Sequence, residues 1–365
     1  MKKLIICLDG LGKDLISKKN TPFIYKFGKE NYFSELATLF AFTGIEYSFF
    51  TGKSPAETKI WLEFVRSKNS IFDNILLKKL SFNKKLRTLA GILIQLIKKR
   101  SYLCALHNIP KEKLKYFDSK AKEGLWKLDF FQKRNFVFYK WPFFVLKKKG
   151  NEKTKLILRY EKDEERLKRL LKEKEVDVYY TQLVEIDKAI HRFGKKSKKT
   201  EKILRKIDGV VAKYIKKFLK ENEGAEIFLW SDHGFADIKD YINIRNKLPS
   251  KDVFFIGGTT IHFWFNNKER KKAIQNILKK EKIKILNEKD AQKYKIPLSK
   301  EYGDLIGYLK KGRYFFPNFY QEKETEKFKA MHGYPDDKEL NGFLISNKKI
   351  PKKLNIFDVL KYLDK

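Results

Sequence analysis

The sequence predicts an α/β fold, because strand-like apolar runs alternate with a segment whose apolar residues recur at helical spacing. Residues 4–8, 176–180 and 227–230 are short runs of mostly aliphatic and aromatic residues, which indicate buried strands. Residues 199–221 carry apolar side chains on one helical face, which predicts an amphipathic helix packed on the sheet. A chain of 365 residues can bury a large core, as one α/β domain with insertions or as two domains.

The remaining elements follow in chain order. A helix is predicted at residues 21–29 and a strand at residues 35–40. Beyond residue 65 the pattern becomes helical, and near residues 130–144 it is rich in aromatic residues, which predicts a cap inserted into the core. A small α+β insertion is predicted from a strand at residues 259–265, a helix at 268–280 and a strand at 282–286.

These elements divide the chain into a core and two insertions. The expected boundaries are an α/β core at 1–64, 166–251 and 331–365, a helical and aromatic cap at 65–165, and a small α+β unit at 252–330. No internal repeat or low-complexity linker is evident in the sequence.

Metal-ligating residue types stand where predicted strands end. Asp232 and His233 follow the strand at residues 227–230, and Asp9 follows the strand at residues 4–8. Asp and His are good ligands for zinc-like cations, and a strand end lets them face the crevice at the carboxyl edge of a sheet. The pattern therefore indicates a candidate metal site.

Three further residues of these types occur in matching places. Asp187 and His191 follow the strand at 176–180 and are four residues apart, so they are neighbours on a helix. His332 stands in a loop-like Met-His-Gly-Tyr segment. Any one of these residues could be a cap or a core residue, whereas the full ordered set favours a metal centre.

The ordered motifs resemble those of the alkaline phosphatase superfamily. In chain order they are DG, TP, TG..P, H.FG, SDHG and HGY, and the resemblance spans nearly the whole chain, from residue 3 to about residue 345. Within the superfamily the sequence looks most like the type I phosphodiesterase and nucleotide pyrophosphatase branch. This resemblance implies an alkaline-phosphatase-like α/β fold, with a central, mostly parallel sheet flanked by helices.

The resemblance also implies two divalent metal ions, zinc in the first place, with manganese or magnesium as alternatives. It assigns Asp187, His191 and His332 to one ion and Asp9, Asp232 and His233 to the other. Each ion then keeps an open position for a substrate oxygen. Paired ions about 3.5–4 Å apart can stabilise the attacking and leaving oxygens of an in-line displacement.

In the family that the sequence resembles, the nucleophile is a Ser or Thr at the start of a helix, shortly before a Thr-Gly pair. That pair is at residues 51–52, and Thr43 is the candidate nucleophile. Thr43 is predicted to be the N-cap of a short helix, where the positive end of the helix dipole favours an alkoxide. Ser48 is the alternative, although it lies mid-helix. Gly44 and Ile45 replace the family's Pro-Asn.

Residues near position 60 also depart from the nucleotide-hydrolysing members of the family. Thr58 and Lys59 occupy the place of a His-Gly pair, and Glu63 falls near an Asn that contacts phosphoryl oxygens. A carboxylate repels a diester oxygen unless it is protonated, turned away, or bonded to a hydroxyl or a cation. Glu63 is therefore either a substrate-binding candidate or a residue on a solvated helix face.

The excess of basic residues limits the classes of partner that the protein is expected to bind. Lys and Arg number 82 against 45 Asp and Glu, which gives a net charge of +37. The lysines are spread along the chain without a nucleic-acid-binding motif, so an anionic lipid or substrate is favoured over nucleic acid. Two cysteines, Cys7 and Cys104, suit a reducing compartment, and no secretory signal is evident. We expect a cytoplasmic protein or one peripheral to the inner face of the membrane.

An apolar run at residues 88–97 has basic residues on both sides and is too short to span a bilayer core of about 30 Å. Such a segment can lie on a membrane surface. We expect a buried cap helix instead.

Two classes of function fit these observations. The first is a two-metal hydrolase of phosphoric esters or anhydrides, of phosphodiesterase or pyrophosphatase type, acting through a covalent phospho-Thr43 intermediate. The second is a catalytically silent member that binds an anionic glycan, lipid or nucleotide ligand. Within the enzyme class, phosphomonoesterase, phosphomutase and phosphonate hydrolase are alternatives. The expected substrate is a small-molecule phosphate or one linked to a lipid or glycan, and the oligomeric state stays open.

Overall fold

The fold is described from a computed structural model. The structure describes residues 1–80, 83–98, 100, 106, 108–121, 123–248, 252–335 and 338–364. Cys104 therefore lies outside the described residues, whereas Cys7 is a buried free cysteine, as expected for a residue of the first strand.

Strands and helices alternate along most of the chain. The strands are β1 (Lys3–Leu8), β2 (Tyr32–Ala37), β3 (Phe64–Arg66), β4 (Phe117–Ser119), β5 (Phe136–Lys140), β6 (Phe143–Lys148), β7 (Asn151–Leu156), β8 (Val178–Leu183), β9 (Glu226–Ser231), β10 (Ala236–Asp237), β11 (Asp240–Ile242), β12 (Val253–Ile256), β13 (Thr260–Trp264), β14 (Lys284–Ile285), β15 (Leu305–Tyr308), β16 (Arg313–Phe315), β17 (Ala330–Met331), β18 (Gly342–Ser346) and β19 (Lys353–Asn355). The helices are α1 (Pro22–Glu30), α2 (Gly44–Thr51), α3 (Pro55–Thr58), α4 (Ile75–Lys79), α5 (Lys84–Ile97), α6 (Asp129–Gln132), α7 (Asp163–Leu170), α8 (Glu185–Phe193), α9 (Lys198–Glu221), α10 (Lys268–Lys280), α11 (Glu288–Tyr294) and α12 (Leu360–Leu363).

A nine-stranded sheet, counted over the described residues, forms the centre of the molecule. Its strand order is β19-β2-β18-β9-β1-β8-β5-β6-β7. The four inner strands β9, β1, β8 and β5 are parallel, whereas β18 and β6 run antiparallel to their neighbours. The prediction of an α/β fold with a mostly parallel central sheet flanked by helices is confirmed.

Both faces of the inner strands are buried, as parallel sheets require. On β1, Ile5 and Cys7 face one apolar cluster, and Leu4, Ile6 and Leu8 face the other. The helix predicted at residues 199–221 is α9, which buries Ile207, Val211 and Phe218 against the second cluster. The sheet is therefore covered on both sides, which leaves its carboxyl edge as the place for polar side chains.

The segment expected to be a cap differs from the prediction between residues 136 and 156. There β5 pairs with β8, and β6 and β7 extend the central sheet. Phe136, Val137, Phe138 and Tyr139 are all buried, so β5 is covered on both faces. A continuous apolar run has the same composition in a helical cap and in an inner strand, and its periodicity does not separate them.

The apolar run at residues 88–97 lies on α5, where the expectation of a buried cap helix is wrong for one face of the helix, whereas Ile94 and Leu96 are partly buried against the apolar clusters. The buried positions are Arg87, Ala90, Gly91 and Gln95, whereas the exposed ones are Leu86, Leu89, Leu93 and Ile97. Two of the buried residues are small because the helix lies close to Leu106 there: a Cβ added at Gly91 would lie 2.2 Å from the side chain of Leu106. None of the described helices has the length and apolar character needed to cross a membrane.

The predicted small α+β unit contains a four-stranded sheet of order β12-β13-β15-β14. The predicted helix at residues 268–280 coincides with α10, and the strand predicted at residues 259–265 is β13. His262 is buried in β13, with Nδ1 lying 2.8 Å from the carbonyl oxygen of Tyr302, so it has the structural role expected of it.

Asp208 on α9 fixes the start of α1. Its carboxylate oxygens accept hydrogen bonds of 2.9 Å from the backbone N–H groups of Phe23 and Ile24, which have no partner within their own helix. We expect Asp208→Ala to lower the free energy of unfolding by about 1–3 kcal/mol, because it leaves these donors unpaired. Urea unfolding measures the change, with Glu223→Ala as the exposed control. A loss no larger than that of the control would contradict this role of Asp208.

Candidate metal centre

The carboxyl edge of the central sheet brings the predicted acidic residues together. Asp9 directly follows β1, Asp232 directly follows β9, and Asp187 lies in the first turn of α8, just after β8. The strand order β9-β1-β8 places these three positions side by side. His332 reaches the same place from the other side of the crevice, directly after β17.

The six predicted metal ligands form one cluster. Asp9, Asp232 and His233 offer ligand atoms within 4.8 Å of one another, and Asp187, His233 and His332 form a second such group. His191 adjoins the second group, with its Nε2 atom 3.4 Å from Oδ1 of Asp187. His233 thus belongs to both groups. The assignment of each residue to one particular ion stays a prediction.

Backbone carbonyls orient two of the imidazole rings. Nδ1 of His191 donates to the carbonyl oxygen of Ala330 at 2.9 Å, and Nδ1 of His233 lies 3.2 Å from that of Gly234. Nε2 of each ring then faces carboxylates, at 3.5 Å from both Asp9 and Asp232 in the case of His233. Metal-binding histidines are commonly oriented in this way, because the carbonyl contact fixes the tautomer.

His332 has no such partner. Its ring stacks on that of His233, with centroids 3.6 Å apart, and its Nδ1 atom is buried without a hydrogen bond among the described residues. A buried imidazole nitrogen without a partner costs free energy unless something binds it. Burial also lowers the pKa of His332 well below its usual value, so the ring is neutral and able to act as a ligand.

The buried carboxyl groups raise one another's pKa values. Burial, with the negative charge of Asp187, raises the pKa of Asp9 to about 6. The pKa values of Asp187 and Asp232 are raised to about 7, mainly by burial. Burial opposes protonation of His233, but Asp232 and Asp9 outweigh it and raise the pKa of this ring to about 9.

The donor set fits divalent cations. Three carboxylates and three imidazoles, all buried or nearly so, supply the oxygen and nitrogen ligands that zinc-like ions take. Positive charge among the carboxylates would favour their ionised forms, against the burial and the repulsion that raise their pKa values. The unpartnered nitrogen of His332 would then gain a partner as well. The residues present are thus those that would hold two metal ions.

Thr43 faces the cavity that the metal-ligand candidates line. This cavity, of about 140 Å³, is bounded by Thr43 together with Asp9, Asp187, Asp232, His233 and His332. Thr43 holds the N-cap position of α2, but its side chain makes no capping hydrogen bond, and Oγ1 is buried without a partner among the described residues. The sequence placed Thr43 correctly at the helix start, while the expected capping bond is not formed. Ser48 is buried inside α2 and is not among the residues that line the cavity.

Glu63 lies in a bend before β3, so the alternative of a solvated helix face is wrong. Its carboxylate accepts a hydrogen bond of 2.6 Å from the hydroxyl of Tyr320, and burial raises its pKa. It borders both the 140 Å³ cavity and a neighbouring apolar cavity of about 260 Å³, whose walls include Phe117, Tyr314 and Phe328. His332 borders both cavities too.

Three further residues of the site are absent from the sequence-based prediction. Lys140, at the end of β5, reaches the cavity and contacts the carboxylate of Glu46, which also accepts from the hydroxyl of Tyr180 at 2.7 Å. Gln182, near the end of β8, donates to Oδ2 of Asp9 at 2.8 Å. A polar residue at the carboxyl end of an apolar run was a signal for Lys140 and Gln182. For Glu46 the signal was weaker, namely its position one helical turn beyond Thr43.

Two glycines of the site allow close approach. Gly10 has a φ of +72°, and a Cβ there would lie 2.5 Å from the ring of Phe235. This turn lets the backbone N–H of Gly10 donate to Oδ1 of Asp232 at 3.1 Å. Gly333 has a φ of +75°, and a Cβ there would lie 2.3 Å from the ring of Phe42. The DG and HGY motifs therefore carry glycine for steric reasons.

Known proteins resemble this chain in sequence pattern and in fold. A sequence model described as type I phosphodiesterase / nucleotide pyrophosphatase matches residues 3–335. No curated protein sequence matches the chain. Among solved structures, the chain is similar to murine and human ectonucleotide pyrophosphatase/phosphodiesterase 5, at 14% and 12% identity and TM-scores of 0.67 and 0.68. A third, the inactive murine variant in complex with AMP, has 14% identity and a TM-score of 0.66. Each match covers 100% of this chain and 94% of the other, which shows a shared fold.

The ligand cluster leads to a prediction about metal content. We expect purified protein to carry two divalent ions per chain, and Asp232→Asn and His332→Ala each to remove about one of them. Elemental analysis measures the content. Because bound metal stabilises only the folded chain, chelation should also lower the melting temperature.

The matched control is Asp237→Asn, which removes an exposed carboxylate of β10 and should leave the metal content unchanged. Protein that holds no divalent metal, as purified or after reloading, would refute the metal centre.

Proposed function

This chain belongs to the type I phosphodiesterase / nucleotide pyrophosphatase family, and we propose that it is a two-metal hydrolase of phosphoric esters or anhydrides. Family membership supports hydrolysis of this kind, since the matched region includes every residue of the ligand cluster. The metals, the nucleophile and the substrate belong to the proposal.

One observation carries the proposal: the buried hydroxyl of Thr43 faces the same small cavity as five of the six ligand candidates. No hydrogen bond to the described residues occupies this hydroxyl, although it stands at the start of α2 where a capping bond would be usual. A hydroxyl left unpaired in a polar, buried cavity is poised to act as a nucleophile beside a cation. The hydroxyl of Ser48 is also buried without a hydrogen bond to the described residues, but Ser48 does not border this cavity.

The proposed reaction has two displacements at phosphorus. In the first, Oγ1 of Thr43 attacks phosphorus and loses its proton, the bond to the leaving oxygen breaks, and that oxygen gains a proton. In the second, water attacks the phospho-Thr43 ester, and Thr43 is released and protonated again. The metal ions, when bound, supply positive charge to the nucleophile and to the phosphoryl oxygens.

Residues of the chain hold the carboxylates of the site in place and adjust the charge of the cavity. Gln182 holds the carboxylate of Asp9, and the backbone N–H groups of Gly10 and His233 each donate to Oδ1 of Asp232 at 3.1 Å. Lys140 brings positive charge to the cavity beside Glu46. We infer that Lys140 offsets the charge of Glu46 and so allows an anionic phosphoryl group to enter near a second carboxylate.

Glu63 and the apolar cavity are the proposed leaving-group side. With its raised pKa, Glu63 is more easily protonated than a solvated Glu, so it repels a diester oxygen less and can donate a hydrogen bond. The aromatic walls of the 260 Å³ cavity favour an apolar or aromatic group. A nucleotide is one candidate, since an inactive murine relative was solved in complex with AMP. Phosphomonoesterase, phosphomutase and phosphonate hydrolase activities stay alternatives, as does ligand binding without catalysis.

Turnover tests the proposal directly. On metal-loaded protein we expect hydrolysis of an aryl phosphodiester, and we expect Thr43→Ala to abolish it while metal content stays unchanged. Loss of the hydroxyl should cost little stability, because it makes no capping bond in the fold. A panel of phosphodiesters, nucleotide pyrophosphates, nucleotide sugars and monoesters then identifies the preferred class.

Thr43→Ser should retain part of the activity, since it keeps the hydroxyl, and Ser48→Ala is the matched control that should stay active. Acid quenching followed by mass spectrometry should find the phosphoryl group on the peptide that contains Thr43. An active Thr43→Ala together with an inactive Ser48→Ala would reassign the nucleophile. Metal-loaded protein that hydrolyses no member of the panel would favour the silent binding function.

A further inference from the structure

Helix α5 carries a stripe of exposed aliphatic side chains. The stripe consists of Leu86, Leu89, Leu93 and Ile97, spaced three or four residues apart and exposed by 46%, 63%, 55% and 67%. The neighbouring α4 exposes Ile75 and Leu76 by 69% and 47%. These six are half of the large apolar side chains that are strongly exposed among the described residues, so the two helices concentrate apolar surface.

The opposite face of α5 is fixed to the body of the protein. The guanidinium of Arg87 is buried and donates to the carbonyl oxygens of Leu106 and Ile109, at 2.7 and 3.0 Å. Ala90 belongs to the same apolar cluster as Phe117 and Phe255, two residues that line the apolar cavity. The helix therefore cannot turn its stripe inward without breaking these buried contacts.

Basic residues surround the stripe. Lys84 and Lys85 occupy the first turn of α5, and Lys98 follows its last residue. The helix dipole favours acidic residues in a first turn, so Lys84 and Lys85 do not stabilise the helix through its dipole, whereas Lys98 at the other end does. Residues 74–98 contain no Asp or Glu. Lys78 pairs with Asp73 and Lys84 with Glu322, whereas none of Lys79, Lys85 and Lys98 has an ion pair with any described residue.

The positive charge around the stripe limits which partner can cover the exposed face of α5. A second copy of the chain would place two lysine-rich faces against each other, and like charges across an interface oppose association. An anionic bilayer satisfies both features, since its acyl boundary accepts the aliphatic stripe and its headgroups attract the flanking lysines. A net charge of +37 adds to that attraction at long range.

We propose that α5 is a membrane-docking helix, which lies on the surface of an anionic bilayer with Leu86, Leu89, Leu93 and Ile97 directed into the lipid. The helix binds without spanning, and its binding does not require the hydrolase activity.

Vesicle co-sedimentation of the full-length chain tests the docking. The parent should bind vesicles of phosphatidylcholine with about one-third phosphatidylserine and bind pure phosphatidylcholine much more weakly. Leu89→Ser with Leu93→Ser should weaken binding to the anionic vesicles about tenfold or more. The melting temperature should stay within about 2 °C of the parent, since both side chains are more than half exposed. Turnover of a soluble aryl phosphodiester should not change.

Control variants with the same kinds of substitution separate the effect of the stripe from nonspecific hydrophobic binding and from the effect of net charge. Leu158→Ser with Leu298→Ser removes two leucines that are exposed by 80% and 46% elsewhere, and it should leave binding intact. Lys85→Glu with Lys98→Glu should weaken binding to anionic vesicles more than Lys153→Glu with Lys155→Glu, which changes two exposed lysines of β7.

Three outcomes would overturn the proposal. The stripe variant could bind vesicles like the parent, or it could lose several degrees of melting temperature, which would show a structural role. The parent could instead associate in a concentration-dependent way without vesicles, with the stripe variant monomeric, which would assign the face to a second copy. The two proposals are tested separately. Thr43→Ala should lose turnover and keep vesicle binding, so a failure of the docking proposal can be told from a failure of the hydrolase proposal.

Discussion

The structure depends on one electrostatic constraint, the burial of three carboxyl groups at neighbouring strand ends. Asp9, Asp187 and Asp232 follow β1, β8 and β9, which are adjacent in the sheet, so no side-chain rotation can move them far apart. Burial raises the pKa of each carboxyl group, and the negative charge of a neighbouring Asp raises it further. The arrangement can stay fully ionised near neutral pH only if cationic charge lies among these groups.

The surroundings of the carboxylates follow from that constraint. Backbone carbonyls hold Nδ1 of His191 and His233, which leaves Nε2 of both rings for the crevice. The left-handed turn at Gly10 supplies an N–H group to Asp232, and Gln182 supplies another donor to Asp9. These contacts fix the direction of four of the six ligand candidates before any ion is bound, and such preorganisation is what a catalytic metal centre needs.

The sequence predicted those parts of the fold and site that depend on local pattern. The strands β1 and β9, the helices α9 and α10 and the six ligand candidates all rest on short runs or fixed spacings. It could not predict that Lys140 reaches the cavity, because that depends on β5 pairing with β8 at a distance of about forty residues. Periodicity also could not tell which face of α5 is buried, because the fully buried residues there are Arg87, Ala90, Gly91 and Gln95 rather than leucines. The cytoplasmic location and the domain boundaries stay predictions.

The opposite charges of the site and of the whole chain have a common consequence for ligand choice. A net charge of +37 creates a positive field that attracts any anion, while the cavity itself is bordered by three Asp and two Glu. Without metal, an anionic phosphoryl group attracted by the field would be repelled at the last few ångströms. With two divalent ions, four positive charges would offset the three Asp carboxylates, and Lys140 lies beside Glu46. The long-range field therefore concentrates anions without discriminating among them, and in the proposed function the selection for phosphate is left to the two metal ions.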